Sequence, residues 1–280
     1  MLTEMLTNVR ARNPLVHNIT NYVTVNDCAN IVLASGGSPI MADGVDEVEE
    51  ITTICASLNI NIGTLNDATR EAMVRAGKQA NKVNHPVVLD PVGVGASTLR
   101  NETIVQLLKE VQFSVIRGNI SEIKFIADLL GLDVNTASQS RGVDASDEDK
   151  VTKDNLNEAA AFAKAMARAT GSVIAMTGAI DVVADTEKAY CIFNGHAEMS
   201  TITGSGCQLS ALLGSYLGAN PTTPLDAAAA AVIVMGVCGE IGHERMTDVD
   251  GNSSYRNYII DAVQRLTSQQ LENKARYEVR

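Results

Sequence analysis

Short apolar runs alternate along this chain with longer segments that carry a 3.6-residue period. Residues 59–62, 86–90, 113–116 and 172–176 read as strands, and the stretches between them read as helices. Strands separated by helices of this length form βαβ units. The pattern therefore predicts an α/β protein with a mainly parallel central sheet and helices on both faces. Pro86-Val87-Val88-Leu89-Asp90-Pro91 shows it most clearly, as a continuous apolar strand that ends on a carboxylate where a proline stops ladder pairing. In open α/β sheets, ligands gather at such carboxyl ends.

Residues 131–150 break the rhythm. They are polar and acidic without an apolar period, and read as a surface excursion rather than a linker. Residues 155–170 form an alanine-rich helix, and 181–193 hold two β-prone runs around Asp185-Thr186-Glu187-Lys188, the pattern of a hairpin. The C-terminal third reads as almost entirely helical. Its most apolar part, residues 227–238, falls short of the ~18 residues that span a bilayer and reads as a buried helix. No internal repeat and no break marks a second core, so residues 1–280 are expected to form one domain.

Composition narrows the classes. Hydrophobic residues make up 45% and charged residues 20% of the 280, as in soluble globular proteins. A formal net charge of -11 argues against a nucleic-acid surface, which needs clustered Lys and Arg. The N-terminus has no signal-peptide pattern. Cys28, Cys55, Cys191, Cys207 and Cys238 are scattered with no CxxC pair, which suggests neither a disulfide framework nor a zinc site and fits a reducing cytoplasm. His17, His85, His196 and His243 lack metal-ligand spacing and read as ordinary structural or surface residues.

Thr203-Gly204-Ser205-Gly206-Cys207, followed at once by the apolar helical run 208–217, is the most informative stretch. Two glycines at a helix start let the backbone approach a ligand closely, and the first free N–H groups there attract an anion. Cys207 beside those donors is a nucleophile, a weak base or a small buried apolar group. A hydrolase would want a partnered His, and none lies nearby in sequence. Asp90 and Glu122 would meet at one sheet edge, where two carboxylates suit a hydrated magnesium ion. The structural reading is equally open: Asp90 ends its strand and Glu122 favours the helix dipole, with no ion involved. Arg117, following strand 113–116, offers a planar fork for phosphate or else a surface ion pair. Thr177-Gly178 offers a hydroxyl and close backbone approach, or is only a strand-ending turn. Gly93-Val94-Gly95 lacks the rest of a dinucleotide fingerprint, and no GxxxxGK[ST] sequence occurs.

Taken in order, the blocks Pro14 to Val23, Gly37 to Asp43, Leu89 to Ala96, Arg117 to Glu122 and Thr203 to Cys207 closely resemble the hydroxyethylthiazole kinase family over nearly the whole chain. The resemblance implies a ribokinase-like fold. It also implies phosphorylation of the primary hydroxyl of 4-methyl-5-(2-hydroxyethyl)thiazole with ATP and a magnesium ion, in thiamine biosynthesis or salvage, by a homotrimer with sites at subunit boundaries. On this resemblance Met41 and Gly204 bind the thiazole, Arg117 and Thr177 bind ATP, Asp90 and Glu122 stand near magnesium, and Cys207 occupies the position where the wider ribokinase-like group has a proton-accepting aspartate. Ser205, where many relatives have threonine, and Asn194-Gly195-His196, a less familiar strand end, are the departures. A lyase on the same fold would keep aspartate at position 207, so Cys207 speaks against it. Two further readings compete: a binding protein without turnover, and a kinase of the same fold that acts on pyridoxal or a pyrimidine.

Overall fold

The computed structural model describes residues 1–132 and 150–280; the acidic segment, but for its first two residues and its last, lies outside the described residues. In chain order the elements are α1 (Leu2–Arg12), β1 (Leu15–Ile19), α2 (Val25–Ser35), β2 (Ser38–Ile40), α3 (Val48–Ile54), β3 (Ser57–Asn61), α4 (Asp67–Lys82) and β4 (Val87–Asp90). Next come α5 (Thr98–Glu110), β5 (Val115–Asn119), α6 (Ile120–Leu129), α7 (Leu156–Thr170), β6 (Val173–Thr177), β7 (Asp181–Ala184) and β8 (Ala189–Ile192). A 3-10 turn (Ala197–Thr201) leads to α8 (Ser205–Ala219), α9 (Pro224–Glu244), α10 (Asn252–Arg265), α11 (Ser268–Lys274) and β9 (Tyr277–Val279).

The nine described strands make one sheet, in the order β2-β1-β3-β4-β5-β6-β7-β8-β9. Pairings from β2 through β6 are parallel, and those of β6 with β7, β7 with β8 and β8 with β9 are antiparallel. The expected α/β class and mainly parallel sheet are therefore present, and the expected hairpin is β7 and β8. The structure corrects one expectation. β5 runs on through Asn119 because β6 pairs it as far as Asn119 with Thr177, so Arg117 lies within the strand rather than after it. The C-terminal third is almost entirely helical, as expected, and its one strand after the hairpin, β9, closes the antiparallel flank. Its three residues are all exposed and owe their strand conformation to the free edge of β8.

Alternation along the strands divides the core. Val88, Val115, Val173 and Val183 join one cluster with α1, α2, α8, α9 and α10, while Val87, Leu89, Ile116, Ile174 and Val182 join a second with α4, α5, α6 and α7. Buried on both faces, β4 and β6 show continuous apolar runs up to their last residues rather than an in-out alternation. α9 extends well beyond its apolar run of 227–238. At 21 residues it is long and apolar enough to cross a bilayer, but 83% of its most apolar window is buried inside the protein.

α8 lies directly on the sheet. Ser57 Oγ donates to the Gly214 carbonyl at 2.7 Å, and a Cβ at Gly214 would stand 2.7 Å from Val16 Cγ1. The close approach of this helix to β1 and β3 thus needs the absence of a side chain at 214. Gly214→Ala is expected to destabilise the fold by about 1–3 kcal/mol through overpacking. Urea unfolding at constant m-value measures it, and an unchanged midpoint would show that β1 yields freely.

Candidate active site

The carboxyl ends of β3, β4, β5 and β6 lie side by side, with Asn61 paired to Asp90 and Asn119 to Thr177, and the N-terminus of α8 is brought over them. Asp90 is fully buried. Its Oδ2 accepts from Asn61 Nδ2 at 2.7 Å and from Ser210 Oγ at 2.8 Å, and Arg117 Nη1 faces Oδ1 at 3.4 Å. Burial pushes the Asp90 carboxyl up from its ordinary value, while the Arg117 charge and these hydrogen bonds pull it back. One carboxylate therefore joins three strands and a helix.

Arg117 Nη2 donates to Thr177 Oγ1 at 2.8 Å. Among the described residues, Arg117 Nε is buried without an acceptor. The guanidinium packs on Gly206, where a Cβ would come within 2.4 Å of Nη1. Gly204 caps α8 with φ at +79°, and a Cβ there would meet Thr24 Cγ2 at 2.1 Å. The two glycines thus have separate tasks: Gly204 makes the left-handed entry against Thr24, and Gly206 leaves room for a cation beside the helix N-terminus.

Glu122 is the N3 residue of α6. Its Oε2 accepts from Asn119 N at 2.8 Å, Asn119 Oδ1 accepts from Glu122 N at 2.8 Å, and Gly93 N donates to Oε1 at 3.0 Å. This is a capping box, so the helix-start role expected of Glu122 is present. Burial pushes its carboxyl up, Arg117 opposes the shift and Asp90 adds to it. The cap does not exhaust the residue, because each oxygen keeps a second lone pair.

Cys207 is buried, and its Sγ accepts from Asn21 Nδ2 at 3.2 Å and from Asn61 Nδ2 at 3.3 Å. Burial pushes the thiol up and Asp90 pushes it further, against the Thr24 hydroxyl, Arg117 and Asn61. Histidine is absent from the hydrogen-bond partners described for it, so the arrangement lacks a Cys-His pair. The thiol is held in its neutral form, with two amide donors aimed at the sulfur. Sequence reasoning misses Asn21, Thr24, Asn61 and Ser210. Asn59 and Asn61, which alternate with Leu58 and Ile60 in a strand buried throughout, carry the signal that could find Asn61.

In front of these groups opens a cleft of ≈ 570 Å³ lined by Arg117, Thr177, Gly178, Asp181, Gly206 and Met235 among others. Asp181, also missed from sequence, accepts from Gly178 N at 2.9 Å and shapes the turn after β6. Loss of water contacts pushes its carboxyl up to about 7, against the Gly178 N–H and Arg117. Met41 does not line this cleft. It follows β2, partly buried against the core, in a segment held by His17, whose Nε2 lies 2.8 Å from the Ala42 carbonyl and whose Nδ1 lies 2.9 Å from Thr52 Oγ1. The structure therefore gathers Asp90, Glu122, Arg117, Thr177 and Cys207 around the α8 N-terminus that Gly204 begins, while Met41 packs against the core cluster to which Cys207 belongs.

The fold, a mainly parallel sheet covered by helices on both faces, is ribokinase-like. Two solved structures show the fold likeness: a ribokinase-like superfamily protein from Enterococcus faecalis, 12% identical with a TM-score of 0.61 over 96% of this chain and 89% of that one, and a pyridoxal kinase from Staphylococcus aureus, 16% identical with a TM-score of 0.62 over 95% and 97%. A model of the hydroxyethylthiazole kinase family matches residues 6–269. A hydroxyethylthiazole kinase from Clostridium acetobutylicum is 59% identical over 99% of both chains, and the solved structure of one from Pyrococcus horikoshii is 31% identical with a TM-score of 0.85 over 100% of this chain and 98% of that one. The chain belongs to the hydroxyethylthiazole kinase family.

The Asp181 environment makes a prediction about stability. Its folded-state value lies above the ordinary 3.8, so the group favours folding fully below about pH 4, and that contribution is lost as pH rises through about 7. Asp181→Asn, which does not titrate, is expected to gain stability relative to the parent between about pH 4 and pH 8. Urea unfolding of both proteins at the two pH values tests this, and a constant difference would mean that the carboxylate is well solvated.

Proposed function

We propose that this protein transfers the γ-phosphoryl group of ATP to the primary hydroxyl of 4-methyl-5-(2-hydroxyethyl)thiazole, with a magnesium ion, in thiamine biosynthesis or salvage. The observation that carries the reading is the Arg117 guanidinium at the cleft wall, packed on Gly206 at the α8 N-terminus, with its buried Nε still lacking an acceptor among the described residues. A fixed cation beside free helix N–H groups supports binding of a phosphate chain. The site also fits magnesium. Asp90, Glu122 and Asp181 place three carboxyl groups around one guanidinium, and burial pushes all three up, which a divalent cation would offset. Asp90 and Glu122 would hold it through water, because their oxygens already accept hydrogen bonds from the protein. Bound there, magnesium would neutralise charge on the phosphates.

In the reaction the substrate oxygen bonds to the γ-phosphorus, the bond from that phosphorus to the bridging oxygen of ADP breaks, and the hydroxyl proton passes to a phosphate oxygen and on to water. Arg117 and Thr177 hold the phosphates, and the amides of residues 205–207 face the transferring group. Met41 and Gly204 contribute to the thiazole side. Cys207 is a weak proton acceptor at most, because its environment favours the neutral thiol. Phosphoryl transfer through a loose transition state depends more on positioning and charge stabilisation than on a strong base. The proposal extends to one cytoplasmic domain over residues 1–280 and to a homotrimer. Tyr22 and Val23, 79% and 59% exposed, stand just before the Thr24 that abuts Gly204, so a neighbouring subunit covering them would also close the thiazole side.

Incubation with ATP, magnesium and the thiazole alcohol is expected to yield the thiazole phosphate; tight binding of both without product would leave a binding protein instead. Cys207→Ala is expected to retain turnover, with kcat lowered by no more than about a hundredfold, the low end of what a general base supplies. Loss of all turnover with ATP and thiazole binding intact would make the thiol indispensable.

A further inference from the structure

His196 and His243, which have no metal-ligand spacing in sequence, meet in space. Their rings stack with centroids 3.5 Å apart and planes 24° from parallel. Glu198 completes the group: its Oε1 lies 3.5 Å from His243 Nε2, and one ligand atom from each of the three residues falls within 4.8 Å of the others. The His196-to-Thr201 segment supplies two of these side chains and the last turn of α9 supplies the third.

The two elements are held together by the protein itself. Glu240, one turn before His243 on α9, accepts at Oε1 from Gly195 N at 2.8 Å and from Asn194 Nδ2 at 3.2 Å, which fixes the turn that presents His196. Tyr255 packs edge-on against His243 with centroids 6.0 Å apart, and its hydroxyl donates to the Gly239 carbonyl at 2.9 Å. Both imidazoles are half-buried and Glu198 is exposed, so an ion has access from solvent. The C-terminal end of α9 adds the partial negative charge of its last carbonyls.

We propose that His196, Glu198 and His243 form a binding site for a divalent transition-metal ion of the zinc type, at the rim of the cleft. Two imidazole nitrogens and a carboxylate oxygen with a fourth position open to water are a ligand set that zinc takes readily, whereas magnesium prefers oxygen ligands. The rings must turn about their soft terminal torsions to point their lone pairs at one ion. The hydrogen bond lost in doing so is the long one, 3.3 Å, from Glu198 N to His196 Nδ1. His196 lines the cleft together with Ala197, Met199 and Ser200, so the bound ion would tie this wall to α9. The site shares no ligand with the carboxylates proposed for magnesium and does not depend on that proposal.

Equilibrium dialysis of the full chain against Zn²⁺ alone, with metal analysis, is expected to show one saturable ion per chain that excess Mg²⁺ does not displace. His196→Ala, His243→Ala and Glu198→Gln should each weaken it by more than about tenfold, the least that loss of a direct ligand should produce when outer partners alone give ten- to a hundredfold. NMR of the unaltered protein gives a second measurement that needs no variant: the ring resonances of His196 and His243 should shift with Zn²⁺ while those of His17 and His85 stay fixed. Absence of saturable binding, equal binding by the variants, or unmoved His196 and His243 resonances would overturn the proposal.

Discussion

The buried pairing of Asp90 with Arg117 is the constraint on which the rest of the site depends. A carboxylate and a guanidinium taken out of water are tolerated only when hydrogen bonds and opposite charge surround them. The fold meets that demand by bringing Asn61 from β3, Thr177 from β6 and Ser210 from α8 to the ends of β4 and β5. The same demand explains Gly206. A guanidinium seated against a helix start leaves no space for a side chain at position 206. The geometry proposed to bind phosphate is thus a consequence of how the protein accommodates its own charges.

Much of the fold is legible in the sequence because the strands at the centre of the sheet are buried on both faces. Runs such as Val87-Val88-Leu89 announce themselves without any partner. β9 is illegible for the opposite reason: Tyr277, Glu278 and Val279 carry no pattern of their own and become a strand only on the edge of β8. β5 is longer than its apolar run suggests because Gly118 and Asn119 look like a turn, while pairing to β6 keeps them extended. Local signal determines the interior elements and tertiary pairing the rim.

The site is legible to a different degree. Asp90, Arg117, Glu122, Thr177 and Cys207 follow or end strands or begin helices, positions where a polar residue stands out against an apolar background. Asn21 and Thr24 lie in a turn before α2, and their approach to Cys207 spans more than 180 positions of sequence, which spacing alone does not reveal. The histidine pair makes the same point, since 196 and 243 come together only through the α9 packing and the Glu240 anchor.

Glu240 also receives Arg276, whose Nη2 donates to it at 2.6 Å and to the Phe193 carbonyl at 3.0 Å, while Arg276 N donates to Asn194 Oδ1 at 2.7 Å. The last residues of the chain are therefore a clasp on the segment that walls the cleft. Displacing Arg276 would thus reach the cleft wall twice over, through Asn194 directly and through the Glu240 that fixes Gly195.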